Sequence, residues 1–140
     1  MSKAFTKESD DVPEPRPTRR GVSVPEPNYM TPAGARAARD ELATTGDEAR
    51  IRELTDHLAT AQIIEPPVER DAASLGATVS LRDAAGRQTQ YRIVGALEAD
   101  ARRGFVFWQS PIGEALYGAR VGDSIALPRG EYDVVAITYE

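Results

Sequence analysis

Two consecutive prolines, Pro66 and Pro67, divide the chain into parts with different periodicities. A helix cannot run through them, because proline lacks the N–H donor and restricts the backbone of the residue before it. Apolar residues before this break repeat at helical spacing, whereas those after it alternate with polar residues as in strands. The pattern predicts an α+β chain in which a helical part, 29–65, is joined through a linker, 66–75, to a sheet-containing domain, 76–140.

The part before the break is predicted to form a short antiparallel helical hairpin. Thr31 followed by Pro32 is an N-cap signal for the first helix, and Asp47 is the N-cap of the second. Gly46 is expected to end the first helix in the left-handed conformation. The apolar stripes of the two helices are Ala35, Ala38 and Leu42 on the first, and Ile51, Leu54, Leu58 and Ala61 on the second.

The N-terminal segment, 1–28, has the composition of a tail. It holds five of the ten prolines and a single aromatic residue, Phe5. Such a stretch buries too little apolar surface to offset the entropy of ordering, so the segment is predicted to be disordered. Its arginines Arg16, Arg19 and Arg20 are expected to be solvated, with contact to a polyanion as the alternative.

The part after the break predicts several strands and one short helix. The alternation at 78–81 and 89–94 predicts a β-hairpin. The aromatic run 105–108 is predicted to be a short buried strand, and Ser110 with Pro111 repeats the cap-plus-proline start of a helix. Together these elements predict a small α+β domain that contains the main core of the chain.

Composition excludes several classes of site. The absence of cysteine excludes disulfides, thiolate zinc sites and cysteine nucleophiles, and a single histidine excludes centres that need two or three. The net charge of −5 argues against a protein that coats nucleic acid by charge alone. No apolar run approaches the ~20 residues that span a bilayer, and no apolar run of signal-peptide length follows Lys3 and Lys7. We expect a cytoplasmic protein with no membrane partner, no cofactor and no small-molecule substrate.

Two features of the predicted hairpin invite a chemical interpretation. His57 lies outside the apolar stripe of the second helix, which predicts an exposed imidazole rather than a ligand or base. Asp47 and Glu48 at the hairpin tip are hard oxygen ligands suited to Mg²⁺. Since Asp47 already has a capping role, capping is the favoured explanation, and the pair is only a weak candidate for a metal site.

The aromatic residues Phe105, Phe107 and Trp108 could form a platform on which nucleic-acid bases stack. A buried strand is the favoured interpretation, because no arginine or lysine interleaves these rings on the same face of the predicted strand.

Several blocks of the sequence resemble one family. They are Tyr91-Arg92-Ile93-Val94-Gly95, Glu98-Ala99-Asp100, Ser110-Pro111-Ile112-Gly113-Glu114-Ala115-Leu116-Tyr117-Gly118 and Val121-Gly122-Asp123. The blocks resemble the C-terminal domain of the bacterial Gre transcript-cleavage factors. In addition, 28–34 and 50–54 resemble the two ends of the Gre coiled-coil hairpin.

The resemblance implies an FKBP-like C-terminal domain that docks on RNA polymerase near the rim of its secondary channel, and a hairpin that enters the channel. In the family, a Gly-Asp-Leu-Ser-Glu-Asn-like motif at the hairpin tip supplies an acidic pair that helps hold Mg²⁺ for RNA hydrolysis. This chain lacks the motif, and the segment 44–47 joins what remains of the hairpin. Helices of roughly 12 to 16 residues reach only about 18 to 24 Å, several turns less than a Gre-type arm.

The resulting hypothesis is a Gre-like regulator of transcription elongation that binds bacterial RNA polymerase, is not an enzyme and has lost cleavage stimulation, as in the short-hairpin Rnk relatives. By resemblance, the polymerase contacts are Ser110, Pro111, Ile112, Gly113, Ala115 and Leu116, with Asp123 supporting the loop. Glu114 stands where a basic residue is usual. Contact with nucleic acid is expected to be indirect or weak. Two alternatives stay open: cleavage that uses Asp47 and Glu48, and prolyl isomerisation, which only the fold suggests.

Overall fold

A computed structural model of the chain describes residues 22–139. The predictions for 1–21, including Arg16, Arg19 and Arg20, lie outside these residues. The helices are α1 (Pro32–Thr44), α2 (Glu48–Thr60) and α3 (Pro111–Leu116). The strands are β1 (Tyr29–Met30), β2 (Gln62–Ile63), β3 (Thr78–Asp83), β4 (Gln88–Val94), β5 (Phe105–Phe107), β6 (Ser124–Leu127) and β7 (Gly130–Thr138). Two 3-10 turns, Ala96–Glu98 and Ala101–Arg103, connect β4 to β5. No helix in this part of the chain is long and apolar enough to cross a membrane.

The helical hairpin is confirmed, with both predicted N-caps. Thr31 Oγ1 accepts a hydrogen bond from Gly34 N at 3.0 Å, and Asp47 caps α2. The predicted left-handed Gly46 is wrong, because α1 ends in extended backbone at Thr45 instead. The extended conformation of Thr45 lets the short connection reach Asp47, whose own backbone must be extended to start α2.

His57 is buried, with 1% of its surface exposed, so the prediction of an exposed imidazole is wrong. Residues 22–28, which the sequence analysis assigned to the tail, lie along α2 and cover this face of the helix. His57 Nε2 lies 3.0 Å from Val22 O, and Asn28 Nδ2 donates to His57 O at 2.7 Å. The prediction considered only the face of α2 that meets α1, whereas a second segment packs on the other side.

The base of the hairpin is closed by β1 and β2, a short parallel pair that the sequence analysis did not predict. Tyr29 pairs with Gln62 and Met30 with Ile63. A hydrogen bond of 2.9 Å from Ile64 N to Met30 O extends the pairing by one residue. The two ends of the hairpin therefore lie side by side.

The second part of the chain is a five-stranded sheet with the order β5-β4-β3-β7-β6. The predicted hairpin of β3 and β4 is confirmed, and the sheet is antiparallel except for the pair of β4 and β5, which is parallel. The 3-10 turns carry the chain from the end of β4 back to the start of β5, which is why these two strands run in the same direction. All three residues of β5 are half-buried rather than buried, because β5 lies at the edge of the sheet.

Two apolar clusters form the interior. The larger lies between the sheet and α3, and its buried members are Ala73, Leu75, Ala77, Val79, Leu81, Ile93, Leu116, Ala119 and Val134. The smaller fills the hairpin and its base, with Met30, Ala35, Ala38, Leu54 and Leu97 as buried members. Ala73 and Leu75 belong to the segment read as a linker, so the core of the sheet begins before residue 76.

The carboxylate of Glu98 joins the hairpin to the sheet. Its Oε2 accepts the backbone N–H groups of Thr31 at 3.0 Å and of Gly95 at 3.2 Å, and its Oε1 accepts the Thr31 hydroxyl. Gly34 leaves the space for this carboxylate, since a Cβ at that position would lie 2.1 Å from Glu98 Cδ. A negative charge is thus held at the N-terminus of α1, where the helix dipole stabilises it.

Candidate functional site

The start of α3 is fixed by its N-cap residue. Ser110 Oγ accepts a hydrogen bond from Gly113 N at 3.1 Å and donates one to Phe107 O at 2.6 Å. Pro111 occupies the first helical position, where its missing N–H leaves nothing unsatisfied. One hydroxyl therefore ties the first turn of α3 to the end of β5.

Gly113 lets α3 approach the sheet closely. A Cβ on Gly113 would lie 2.1 Å from Phe107 O and 2.9 Å from Trp108 Cα, both of which are backbone atoms. No side chain can be accommodated there unless the helix or the strand moves. The closeness of α3 to β5 thus depends on glycine at this position.

The predicted contact residues of α3 divide into an outer and an inner group. Pro111 is exposed, and Ile112 and Ala115 are half-buried. Gly113 and Leu116 are buried, with Leu116 in the larger core cluster. The outer group can touch a partner directly, whereas the inner group positions the helix.

The loop between α3 and β6 is held by Asp123. Its Oδ2 accepts the backbone N–H of Arg120 at 2.9 Å, and its carbonyl oxygen accepts the N–H of Val134 at 2.9 Å. Arg120 also binds Asp71, with 2.7 Å between Nη1 and Oδ2, and this hydrogen bond lowers the pKa of the Asp71 carboxyl. The loop is thereby anchored to β7 and to the segment before β3.

Two exposed apolar residues follow α3 and were missed by the sequence analysis. Tyr117 is 44% exposed and Val121 is 60% exposed. The ring centroids of Tyr117 and Trp108 are 6.2 Å apart, and those of Trp108 and Tyr29 are 5.1 Å apart. We define the α3 surface as Pro111, Ile112, Ala115, Tyr117 and Val121.

The tip of the hairpin offers no assembled metal site. Asp47 Oδ1 accepts the backbone N–H groups of Ala49 at 3.0 Å and of Arg50 at 3.4 Å, which is the capping role expected from the sequence. Glu48 is exposed in the first turn of α2. Between residues 22 and 139, no group of three potential ligands among Asp, Glu and His side chains is close enough to hold a metal ion.

Arg50 locks the two helices of the hairpin together. Its Nε and Nη2 each lie 2.7 Å from a carboxylate oxygen of Glu41 on α1, and its Nη1 lies 2.6 Å from Glu53 Oε1. These hydrogen bonds raise the pKa of Arg50 above its ordinary value, led by the one to Glu41. The hairpin is short, since 13 residues per helix correspond to about 20 Å.

The edge strand β5 carries arginines on an aromatic ring. The guanidinium carbon of Arg103 lies 4.3 Å from the ring centroid of Phe105, and that of Arg92 lies 5.6 Å from it. From the sequence, a buried strand was favoured over an aromatic platform because no basic residue interleaves the rings along one strand. The arginines come instead from the neighbouring strand and from the 3-10 turn before β5, which only the tertiary structure brings together.

Comparison with known proteins shows which family and which proteins this chain is similar to. The family model described as "Transcription elongation factor, GreA/GreB, C-term" matches residues 68–139. A transcription elongation factor GreA of Sphingopyxis alaskensis is 44% identical over 87 residues, which is 60% of this chain and 55% of that protein. Thus the alignment spans only about half of that relative. GreA of a Sulfurovum species is 31% identical over an alignment of 151 residues that covers 100% of this chain and 93% of that protein.

Among solved structures, a transcription elongation factor GreA/GreB from Nitrosomonas europaea is similar to this chain. It is 23% identical, with a TM-score of 0.47, and the match covers 80% of this chain and 98% of that one.

Proposed function

Because the chain belongs to the GreA/GreB family of transcription elongation factors, we propose that it binds bacterial RNA polymerase through the α3 surface and regulates elongation without stimulating transcript cleavage. Docking takes place at the rim of the secondary channel, and the hairpin points into the channel. The effect on transcription comes from occupying this position. The chain performs no chemistry of its own.

The observation that carries the proposal is the geometry of the hairpin. Its helices have 13 residues each, and they are joined by only three residues between Thr44 and Glu48. Metal-assisted hydrolysis needs carboxylate oxygens about 2 Å from an ion at the reacting phosphate. An arm of about 20 Å whose tip aspartate caps a helix is poorly suited to deliver them.

The absence of cleavage stimulation is the first testable consequence. Added at saturation to a stalled, backtracked elongation complex, the protein is expected to leave the RNA at the length seen with polymerase alone. Added before a full-length GreA, it is expected to slow the shortening that GreA causes. The measurement is the RNA length distribution over time on a denaturing gel.

A contrary outcome of this assay is well defined. If the protein shortens the RNA and the Asp47→Ala/Glu48→Ala variant does not, the tip carboxylates support cleavage and the proposal fails. Asp56→Ala is the control, since Asp56 is exposed on the same helix but away from the tip.

Docking through the α3 surface predicts a loss of affinity when a charge is placed on it. Pro111→Glu is expected to weaken binding to core RNA polymerase by about tenfold, because the new carboxylate is desolvated without a partner. Pro111 is exposed, so the fold should tolerate the change. Affinity is measured by titrating dye-labelled protein with core enzyme.

The matched control for this variant is Pro128→Glu. Pro128 is also exposed, and it lies in the turn between β6 and β7, away from the α3 surface. The Pro128→Glu variant should bind core RNA polymerase as tightly as the unchanged protein does. Equal losses in both variants would mean that general charge repulsion, not a contact at α3, governs the interaction.

A further inference from the structure

Within residues 22–139, two arginines of the 3-10 turn before β5 have no carboxylate partner. Arg102 and Arg103 are exposed, and neither guanidinium forms an ion pair within residues 22–139. The nearest carboxylates in sequence are engaged with backbone N–H groups: Asp100 Oδ1 accepts from Arg102 N at 3.1 Å, and Glu98 holds the joint to α1. In a chain with a net charge of −5, this is a local concentration of available positive charge.

Phe105 fixes the position of one of these arginines. The guanidinium carbon of Arg103 lies 4.3 Å from the centroid of the ring, within the range of a cation–π contact. Such a contact leaves the N–H groups of the guanidinium available to an outside acceptor. Holding the side chain in place also reduces the entropy lost on binding.

A groove runs between this strand edge and the hairpin. Its volume is about 440 Å³. Ala33 and Ala37 of α1 form part of one wall, and Arg92, Arg103 and Phe105 form part of the other. Three carboxylates also line the groove, and each already accepts a hydrogen bond within the protein: Glu41, Glu98 and Asp100. Because the helix side carries small residues, a flat group can enter beside the arginines. The volume lies within the range of ordinary ligand pockets.

We propose that this groove and its arginines form a binding site for single-stranded nucleic acid. Arg102 and Arg103 donate hydrogen bonds to phosphate oxygens, and a base enters the groove beside Phe105 and the arginine held on it. Guanidinium groups suit phosphate because they donate two parallel hydrogen bonds, and unpaired bases stack on arginine planes as well as on aromatic rings. An acidic protein segment would satisfy the charges but would leave the groove unfilled.

The expected interaction is weak and sensitive to salt. For single strands, the logarithm of the affinity falls with the logarithm of the salt concentration by about 0.7 per neutralised phosphate, so two contacts give a slope of about −1.4. The site is therefore compatible with the acidic composition of the whole chain, which excludes only extensive coating of nucleic acid.

The test is the fluorescence anisotropy of dye-labelled oligouridine and oligothymidine, titrated with the full chain at low salt. The Arg102→Glu/Arg103→Glu variant is expected to bind about tenfold or more weakly and to lose most of the salt dependence. Arg36→Glu/Arg39→Glu is the matched control, because both arginines are exposed on α1 and the charge change is identical. It should retain most of the affinity. Comparing the two oligonucleotides shows whether the site prefers RNA or DNA.

A second variant separates shape from charge. Arg102→Lys/Arg103→Lys keeps both charges but removes the planar groups, so an intermediate affinity is expected. The proposal would be overturned if the Arg36→Glu/Arg39→Glu and Arg102→Glu/Arg103→Glu variants lost equal amounts of oligonucleotide affinity. It would also be overturned if an oligoglutamate peptide bound as well as the oligonucleotides. The assay contains no polymerase, so its failure leaves the proposed docking untouched.

Discussion

Replacing Glu98 with alanine is expected to lower the free energy of unfolding by about 2 to 4 kcal/mol. The change removes one carboxylate that accepts three hydrogen bonds, two from backbone N–H groups and one from the Thr31 hydroxyl. The amides of Thr31 and Gly95 then lose their acceptor in a partly buried joint, where leaving a donor unsatisfied is costly. Because the two bonds from Thr31 connect the 3-10 turn to the start of α1, their loss should also loosen the hairpin.

Two measurements check this expectation. Urea denaturation gives the change in unfolding free energy, and hydrogen exchange at the Thr31 and Gly95 amides reports on the joint itself. Exchange at both amides should accelerate, whereas exchange in β3 should change only as far as global stability does. Glu98→Gln should be milder, because its amide oxygen still accepts the two N–H groups. Glu114→Ala, an exposed glutamate on α3, serves as control. A Glu98→Ala protein as stable as this control would contradict the role given to Glu98.

The Gly113→Ala substitution should destabilise the protein by about 1 to 3 kcal/mol, the usual cost of forcing an extra group into a packed site. Here the new methyl group would lie 2.1 Å from Phe107 O, a backbone atom that cannot rotate away. The sign of this stability change is informative, because helix propensity alone predicts that alanine stabilises a helix relative to glycine by about 1 kcal/mol. Polymerase affinity should fall too, as α3 is pushed from β5.

Gly46→Ala is the matched glycine variant. Nothing lies within 4 Å of a Cβ at Gly46, and its backbone does not require glycine. This variant should be neutral or slightly stabilising, by less than about 1 kcal/mol. Thermal and urea unfolding of both variants provide the comparison. If Gly113→Ala matches or exceeds the stability of Gly46→Ala, the close approach of α3 does not constrain this position.

Local signals predicted most of the elements. The capping residues Thr31, Asp47 and Ser110 all act as N-caps in the structure, because a cap depends on atoms only a few residues away. Contacts between residues far apart in the sequence could not be predicted. Glu98 binds Thr31 across 67 residues of sequence, and Val22 covers His57 across 35. No periodicity within either segment encodes such a meeting.

The candidate surface was predictable only in part. The resemblance located α3, but it did not separate Leu116, which is buried, from Pro111, which is exposed. That division depends on which side of α3 faces the sheet. Likewise, Arg103 and Phe105 are two residues apart, yet their contact depends on Gly104, whose left-handed conformation turns the chain between them.

The pairing of β1 with β2 holds the two ends of the hairpin together at one place. The chain enters the hairpin after Met30 and leaves it beside that residue, at Ile63. Whole helical turns can therefore be inserted into α1 and removed from it, provided that α2 changes equally, without disturbing the attachment. Arm length and domain docking are thus separate variables in this architecture. The same β1–β2 base can therefore carry a longer or a shorter helical hairpin.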